Sequence, residues 1–216
     1  MPEQLPSQQG SPSRRSVRRT GYAEFHCKTN FSFLRGASHP DELVTQAAKL
    51  GYTALAITDD NSLAGVVRAH VAAKSVGLKL LIGAEITPED APAVLLYAAD
   101  AKAYGRLAGL ITRGRRSAEK ECRLNLNDVA DHADGLLAAV RVETSEVSET
   151  SEVSRRNLRH LCVYREIFPS RCYLAASLHR GPDDNAKLDQ LACLSRQARA
   201  PLVATNDVHY HVAERR

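Results

Sequence analysis

The stretch "PDELVTQAAKLGYTALAITDD", residues 40–60, carries the pattern that decides the fold. Pro40, followed by two acidic residues, is typical of the first turn of a helix, and Gly51 is typical of a helix end. The apolar run at 54–58 does not alternate with polar residues, so it predicts a strand buried on both faces. A helix followed by a buried strand is the unit from which α/β folds are built.

The same alternation of apolar runs and helix-like segments extends along most of the chain. After the run at 54–58, Asn61 or Ser62 is expected to open a second helix that ends at Gly77. The other expected helices are 100–116, 154–167 and 183–199, and the expected strands are "YAEFHC" (22–27), "ALAIT" (54–58), "LKLLIGAEI" (78–86), "AVLLYAA" (93–99), "GLLAAV" (135–140), "CYLAASL" (172–178) and "PLVAT" (201–205).

The repeated order of strand and helix predicts an α/β fold with parallel strands and right-handed crossover connections. Seven strand candidates between residues 22 and 205 favour a small, distorted βα barrel. A doubly wound open sheet is the main alternative, because it is built from the same units.

The positive charge of the chain is concentrated in two places, although the net charge is only +4. Without these arginines the rest of the chain is slightly acidic, so it has no general affinity for nucleic acid. Such local clusters can bind phosphate groups, but they are equally typical of a solvated tail and a solvated helix end. The clusters are Arg14, Arg15, Arg18 and Arg19 in the first, and Arg113, Arg115 and Arg116 in the second.

Five widely spaced cysteines, without a C-x-x-C pair, predict reduced thiols in a cytoplasmic protein. No apolar run approaches the length of about 20 residues that a membrane span needs, so we expect no membrane partner.

Two segments have too few apolar residues to contribute to a buried core. Residues 1–21 are rich in Pro, Ser, Gln and Arg and are expected to form a disordered basic leader before a domain at 22–216. The tandem repeat "TSEVSETSEVS", residues 144–154, is expected to form an expanded surface loop.

Carboxylates and imidazoles follow many of the predicted strands. In parallel βα folds the carboxyl ends of the strands meet at one rim, where ligands bind and catalysis occurs. Neutral imidazoles and carboxylates suit Zn, Mn or Fe, which promote the hydrolysis of phosphate esters by activating a bound water. The residues concerned are His26, Asp59, Asp60, Glu85, His179, Asp207, His209 and His211.

A purely structural role is the alternative for most of these residues, because Asp and Asn are common helix caps where a strand leads into a helix. Asp59 and Asp60 can serve as caps, and Glu85 can be a solvated loop residue. Asp207 and His209 are more specific, since alternate residues leaving a strand can point into one pocket. The remaining histidines are expected to be structural or on the surface: His39, His70, His132, His160 and a solvated His211.

The segments "HCKTNFSFLRGASHPDEL", "AITDDNSLAGVVRAH", "LIGAEI", "ITRGRR" and "PLVATNDVHY" resemble the PHP (polymerase and histidinol phosphatase) domain. The resemblance is to the domain of the bacterial C-family, error-prone type of DNA polymerase, and it covers residues 22–216. It implies a distorted barrel of seven βα units. It also implies a parent protein that synthesises DNA during replication and damage-tolerant repair, with its polymerase carboxylates downstream of residue 216. Catalytic residues within this chain stay unassigned.

The resemblance implies a metal site of which part is retained. The first imidazole of the H-x-H motif matches His26, the glutamate after the third strand matches Glu85, and the closing D-x-H motif matches Asp207 and His209. Asp59 and Asp60, in place of the T-D-H motif, are auxiliary candidates.

Other positions of the family's metal pattern are replaced. The second imidazole of the H-x-H motif falls on Lys28, the histidine of T-D-H on Asp60, and the histidine before the fourth strand near Ala93. A further ligand falls on Val142 or its neighbours. An ammonium repels a metal, but it can stand in for the missing cation by pairing with a carboxylate, either Glu85 or Asp207. We expect divalent metal, Zn or Mn, to bind partially or not at all.

The favoured interpretation is a PHP domain with a structural or interaction role. Its partners would be the remainder of the polymerase chain, DNA through the parent protein, and other repair polymerase subunits. The first alternative is a stand-alone metal-dependent phosphoesterase. The second is a plain interaction domain that binds DNA or a partner through Arg113, Arg115 and Arg116.

Overall fold

The computed structural model describes residues 21–142 and 151–215, and within them seven strands form one sheet. The strands pair in chain order, each with its neighbours. Their bounds are β1 (Ala23–Glu24), β2 (Ala54–Asp60), β3 (Lys79–Ile86), β4 (Val94–Ala98), β5 (Leu136–Val140), β6 (Cys172–Ser177) and β7 (Leu202–Thr205).

Contacts between the two ends of the sheet bend it into a nearly closed ring. Just after β1 and β7, the two segments of the chain meet in a parallel bridge between Cys27 and Val208. The amide of Lys28 donates to the carbonyl of Val208 at 2.8 Å, and the amide of Val208 donates to the carbonyl of His26 at 2.8 Å. The predicted seven-stranded α/β barrel is therefore confirmed, and the open sheet is excluded.

The direction of β4 corrects the sequence prediction. β4 is antiparallel to both β3 and β5, whereas the other neighbouring pairs are parallel. Only residues 87–93 connect β3 to β4, and they contain no helix. A parallel crossover needs about a dozen residues or more, so this short connection forces the chain to turn back.

Helices surround the ring. Their bounds are α1 (Pro40–Lys49), α2 (Val66–Val76), α3 (Ala101–Arg116), α4 (Leu126–Asp131), α5 (Ser151–Ile167) and α6 (Asp184–Ala198), followed by a short 3₁₀ helix (Ala213–Arg215). None of the described helices is long and apolar enough to cross a membrane.

Two helix starts differ from the prediction. α2 begins at Val66 and not at Asn61 or Ser62, because β2 continues to Asp60 and Asn61 then turns the chain with a left-handed φ of 46°. α5 begins at Ser151, so the last four residues of the TSEVSE repeat are helical and the predicted loop is wrong there. The rest of the repeat, and the leader at 1–20, lie outside the described residues.

The barrel interior has an apolar cluster of its own, against which Tyr97, Tyr173 and Val203 pack. Leu95, Ala139 and Ala175 form an internal cluster, separate from the larger outer core that the strands share with the helices. Glu85 pairs directly with Leu95 in the β3–β4 ladder, so its side chain points to this inner face. All five cysteines are free, as predicted.

We predict that Gly83→Ala destabilises the barrel, because a Cβ at this position in β3 would lie 2.6 Å from the carbonyl oxygen of Leu96 and 2.9 Å from the ring of Tyr97. A crowded core substitution costs about 1–3 kcal/mol of the free energy of unfolding. Urea denaturation measures this cost.

Gly105→Ala is the matched control. Gly105 lies within α3, and a Cβ there would meet nothing within 4 Å. The substitution should raise the free energy of unfolding by up to about 1 kcal/mol. Equal stability of the two variants would contradict the close approach of β3 and β4.

Candidate functional site

His26, Glu85 and Asp207 converge at the rim formed by the ends of β1, β3 and β7. His26 is fully buried, and its Nε2 lies 2.9 Å from Oε2 of Glu85. Its Nδ1 lies 3.2 Å from Oδ1 of Asp207, although this contact lacks the geometry of a hydrogen bond. Residues 181 positions apart in the chain thus meet at one end of the barrel.

Asp207 also bonds His209, the second residue of the D-x-H pair. Nε2 of His209 lies 3.0 Å from Oδ1 of Asp207, and Nδ1 lies 3.1 Å from the carbonyl oxygen of Arg35. Both partners accept hydrogen bonds, so both ring nitrogens of His209 carry protons when the two bonds form. The hydrogen bond to Asp207 accordingly raises the pKa of His209 above its ordinary value.

Lys28 lies inside this rim as an internal cation. Its side chain is 1% exposed, and Nζ lies 2.7 Å from Oδ1 of Asp60 and 2.8 Å from Oε2 of Glu85. Pairing with Glu85 was one of the two outcomes expected from the sequence. The second carboxylate is Asp60 and not Asp207.

Arg141 is a second cation of the rim, which the sequence reasoning missed. It follows β5, and its guanidinium bridges Oε1 of Glu85 at 2.5 Å and Oδ2 of Asp207 at 3.1 Å. It is adjacent to Val142, where the family's pattern calls for a further ligand. The available signal was the arginine next to that position, since a planar guanidinium can bind two carboxylate oxygens at once.

The cations around Glu85 and Asp207 change the acidity of both groups. Burial would raise the pKa of Glu85, but the hydrogen bond to His26 and the charges of Arg141, His26 and Lys28 outweigh it and hold that pKa well below its ordinary value. Burial acts in the same way on Asp207, and the hydrogen bond to His209 with the charges of His26 and Arg141 likewise leaves its pKa low. Both carboxyls are therefore ionised at neutral pH.

Asp59 faces away from this network and holds a loop. It is fully buried and accepts hydrogen bonds at 2.7 Å from the amide of Thr29 and at 2.7 Å from the hydroxyl of Ser32. Burial raises its pKa, which these hydrogen bonds only partly offset. Asp59 lies within β2 and binds the loop after β1, and Gly65 precedes α2, so Asp59 is not the helix cap that the alternative sequence interpretation expected.

Glu24 is a buried carboxylate that the sequence analysis overlooked. Oε1 accepts hydrogen bonds from the amides of His26 at 2.8 Å and Asn206 at 3.1 Å, and Oε2 accepts from the hydroxyl of Tyr22 at 2.8 Å. These bonds join the start of the barrel to the segment after its last strand.

A family model for the PHP domain matches residues 24–174. The chain belongs to the PHP domain family. An error-prone DNA polymerase of Rhodopirellula baltica is 47% identical over 209 residues, covering 94% of this chain and 18% of the relative. The error-prone DNA polymerase of Pseudomonas aeruginosa is 46% identical over 201 residues, with 93% and 18% covered. The chain thus spans about a fifth of the length of these relatives.

Solved structures share the fold of this PHP domain at low identity. An amidohydrolase from Chromobacterium violaceum superposes with a TM-score of 0.66 at 14% identity, covering 88% of both chains. A protein from Bifidobacterium adolescentis, provisionally assigned as a metal-dependent phosphoesterase, gives 0.57 at 18% identity with the same coverage. The lesion-specific endonuclease Q of Pyrococcus furiosus gives 0.57 at 11% identity and covers 88% of this chain and 48% of that one.

The rim of this PHP domain does not fit a metal ion. Each carboxylate oxygen of Glu85 and Asp207 lies within 3.1 Å of a nitrogen atom of the protein itself. Asp60 is tied to Lys28 in the same way. Within residues 21–142 and 151–215, no group of three or more His, Cys, Asp or Glu side chains is arranged to hold a metal.

Two other histidines of the predicted set lie near the rim without joining the network. His179 is exposed and lines a shallow depression that also includes Asp207 and His209. His211 is half-buried, and its Nδ1 lies 2.8 Å from the hydroxyl of Ser38. The expectation of a solvated His211 is therefore wrong.

The three arginines of the predicted cluster at the end of α3 have different contacts. Nε of Arg113 lies 2.5 Å from Oδ1 of Asp128, so its charge is paired. Arg115 donates to the carbonyl oxygen of Asn61 at 3.2 Å, and Arg116 is exposed. A nucleic-acid contact through this cluster stays a prediction.

Lys28→Met tests the internal cation. It leaves Glu85 and Asp60 without their ammonium partner, and removing one member of a buried pair costs about 3–5 kcal/mol. Thermal and urea unfolding should show this loss. Lys49→Met, at the exposed end of α1, makes the same chemical change and should leave stability within about 0.5 kcal/mol of wild type. Comparable effects at both positions would refute the role of Lys28.

We also predict that acid weakens the domain through Glu85 and Asp207. Since their folded pKa values lie below the ordinary values of 4.5 and 3.8, the unfolded chain binds protons first as the pH falls. The stability that they contribute is complete well above those values, begins to decline below about pH 5, and falls further as the pH drops through them.

Asp207→Asn removes one of the two titrating carboxyls while keeping a side chain that tolerates the left-handed φ of 49° at this position. Urea unfolding at intervals from pH 7 to pH 3 should give a lower stability at pH 7 and a shallower decline than wild type. An unchanged decline would show that Asp207 is not responsible.

Proposed function

We propose that this chain is the PHP domain of an error-prone DNA polymerase that acts in replication and damage-tolerant repair, and that its role there is structural or an interaction role. The identity of 46–47% to error-prone polymerases over more than nine-tenths of the chain supports the parent. The coverage of 18% of those relatives supports a domain within a longer protein.

The observation that carries the structural role is the pair of cations at the rim, Lys28 and Arg141. Metal-assisted phosphate hydrolysis needs carboxylates and imidazoles free to bind the metal, with a bound water of lowered pKa. Here Glu85 and Asp207 neutralise protein cations instead. The rim therefore cross-links strands in place of holding a reacting centre.

The rival proposal is a stand-alone phosphoesterase with one divalent metal, Zn or Mn, at partial occupancy. The fold shared with a protein provisionally assigned as a metal-dependent phosphoesterase favours it. The buried imidazole of His26, whose Nδ1 lacks a hydrogen bond, is the most available donor. Lys28 opposes it, because an ammonium 2.8 Å from Glu85 repels a second cation there.

The proposed partners follow from the proposed parent. They are the remainder of the polymerase chain, DNA bound through the parent, and other subunits of the repair polymerase. The proposed location is the cytoplasm, where such a polymerase meets its DNA.

We predict that the domain is stable without metal. The purified chain should contain less than stoichiometric Zn and Mn by elemental analysis, and EDTA should leave its melting temperature unchanged. It should not hydrolyse bis(p-nitrophenyl) phosphate when either metal is added. Stoichiometric metal together with turnover that EDTA abolishes would establish the rival instead.

A chimaera tests the proposal that the parent protein is an error-prone DNA polymerase. Replacing the homologous 209 residues of the Rhodopirellula baltica polymerase with this chain should give a soluble enzyme that extends a primed template. The matched comparison is the same polymerase with those residues deleted, which should lose stability or activity. An inactive chimaera beside an active wild-type relative would count against the proposed parent.

A further inference from the structure

The end of the barrel opposite the ion network contains a cavity of about 950 Å³. This volume lies within the range of about 300–1,000 Å³ that is typical of small-molecule sites. Lys79, the first residue of β3, lines the cavity, whereas Glu85 lies six residues further along the same strand, about 20 Å away. The cavity is therefore separate from the rim. We call it the amino-end cavity, because it lies at the amino ends of the parallel strands.

Part of the amino-end cavity is the interior of the barrel itself. Glu85 points to the inner face, so the two-residue period of a strand directs Leu81 and Lys79 inwards as well. Ala139, a member of the internal apolar cluster, also lines the cavity. Further lining residues from the neighbouring strands are Phe25, Tyr97, Leu137, Tyr173 and Val203.

This interior lining favours an apolar ligand. Apart from the ammonium of Lys79, it consists of aliphatic and aromatic side chains. The hydroxyl of Tyr97 already donates to the carbonyl oxygen of Phe25 at 2.7 Å. A charged or strongly polar group would lose its hydration here without gaining partners, whereas cavities with apolar walls bind apolar molecules.

The amino-end cavity also passes through the wall of the barrel. β3 pairs with β2 from Lys79 onward but with β4 only from Gly83, so β3 and β4 separate over residues 79–82. Through this opening the lining continues to side chains of α2 and α3, among them Val67 and Tyr104. A bent cavity of this kind fits a flexible chain better than a rigid ring system.

Lys79 supplies a cation at the mouth of the amino-end cavity. It is exposed, and it forms no ion pair with any residue in the described ranges 21–142 and 151–215. Asp100, on the outer part of the lining, is already used as the N-cap of α3, where it accepts from the amide of Ala103 at 2.8 Å. The charge available to a ligand that enters the barrel is therefore positive.

We propose that the amino-end cavity binds a single alkyl chain with an anionic head group, the chemistry of a fatty acid. The chain lies against the apolar lining, and the head group stays at the mouth, next to Lys79. This inference goes beyond the proposed function and does not depend on it, because it uses the opposite end of the barrel and no residue of the ion network.

Residues 1–20 are the nearest alternative occupant within the chain, since β1 begins at the same end of the barrel as Lys79. Their composition does not match the lining. They contain four arginines, and their only large apolar side chains are Met1, Leu5 and Val17.

The test titrates laurate, below its critical micelle concentration, into the 216-residue chain by isothermal calorimetry, and one molecule should bind. Val203→Phe adds a ring to the cavity from β7, so laurate should bind at least about tenfold more weakly, while the melting temperature stays the same or rises. Val71→Phe is the matched control, because Val71 is 65% exposed on α2 and does not line the cavity. It should keep the affinity of wild type.

Lys79→Met tests the head group. At low salt it should weaken laurate binding by up to about fivefold and leave the binding of uncharged 1-dodecanol unchanged. Lys74→Met, at an exposed position of α2 outside the lining, should change neither affinity. Because Lys79 is exposed, this comparison remains decisive if Val203→Phe lowers the melting temperature.

The outcomes decide between the occupants. Absence of laurate binding to wild type overturns the proposal, and so does binding that both valine variants keep or both lose. Binding to phosphatidylglycerol vesicles without binding to laurate assigns the affinity to a membrane surface and also overturns it. Binding only after deletion of residues 1–20 shows that these residues occupy the cavity instead. Equal losses for laurate and dodecanol in Lys79→Met overturn the position of the head group. Selective loss in Val203→Phe, together with a loss for laurate alone in Lys79→Met, establishes the site.

Discussion

The ionised carboxylate of Glu85, buried inside the barrel, is the group on which the architecture of the rim depends. His26 and Lys28 approach one of its oxygens and Arg141 the other. These partners follow β1 and β5, so a single carboxylate on β3 connects three strands that are distant along the chain. A buried charge is tolerated only when it is paired and hydrogen-bonded, and here the partners also lower its pKa enough to keep it ionised.

The same physical constraint explains why the rim retains acidic residues without a metal-binding arrangement. Two ionised carboxylates close together at the rim of a nearly closed barrel need a compensating positive charge, whether it comes from a metal or from the chain. Lys28 supplies one such charge to Glu85 and Asp60, and Arg141 supplies another that Glu85 shares with Asp207. Protein cations thus neutralise these carboxylates as a metal ion would. They differ from a metal ion in that they do not activate a bound water.

Hydrogen bonds at the rim also connect the site to the loop between β1 and α1. Asp59 lies next to Asp60 in the chain, yet it binds Thr29 and Ser32, while Asp60 binds Lys28. The end of β2 therefore supports the ion network through Asp60 and the loop after β1 through Asp59.

Particular residues show how much of the fold and of the site could be predicted from the sequence. The unbroken apolar runs located all seven strands, and Pro40, Gly51 and Gly77 marked helix ends correctly, because these signals act within a few neighbouring residues. The family pattern brought His26, Glu85, Asp207 and His209 together and identified Lys28 as the departure that matters. The reversal of β4 was missed because strand direction follows from the length of a connection and not from the composition of the strand. Arg141, Glu24 and the different partners of Asp59 and Asp60 were decided only by the tertiary structure. Which cation meets which carboxylate depends on distances between strands far apart in the chain, and hydrophobic periodicity carries no information about those distances.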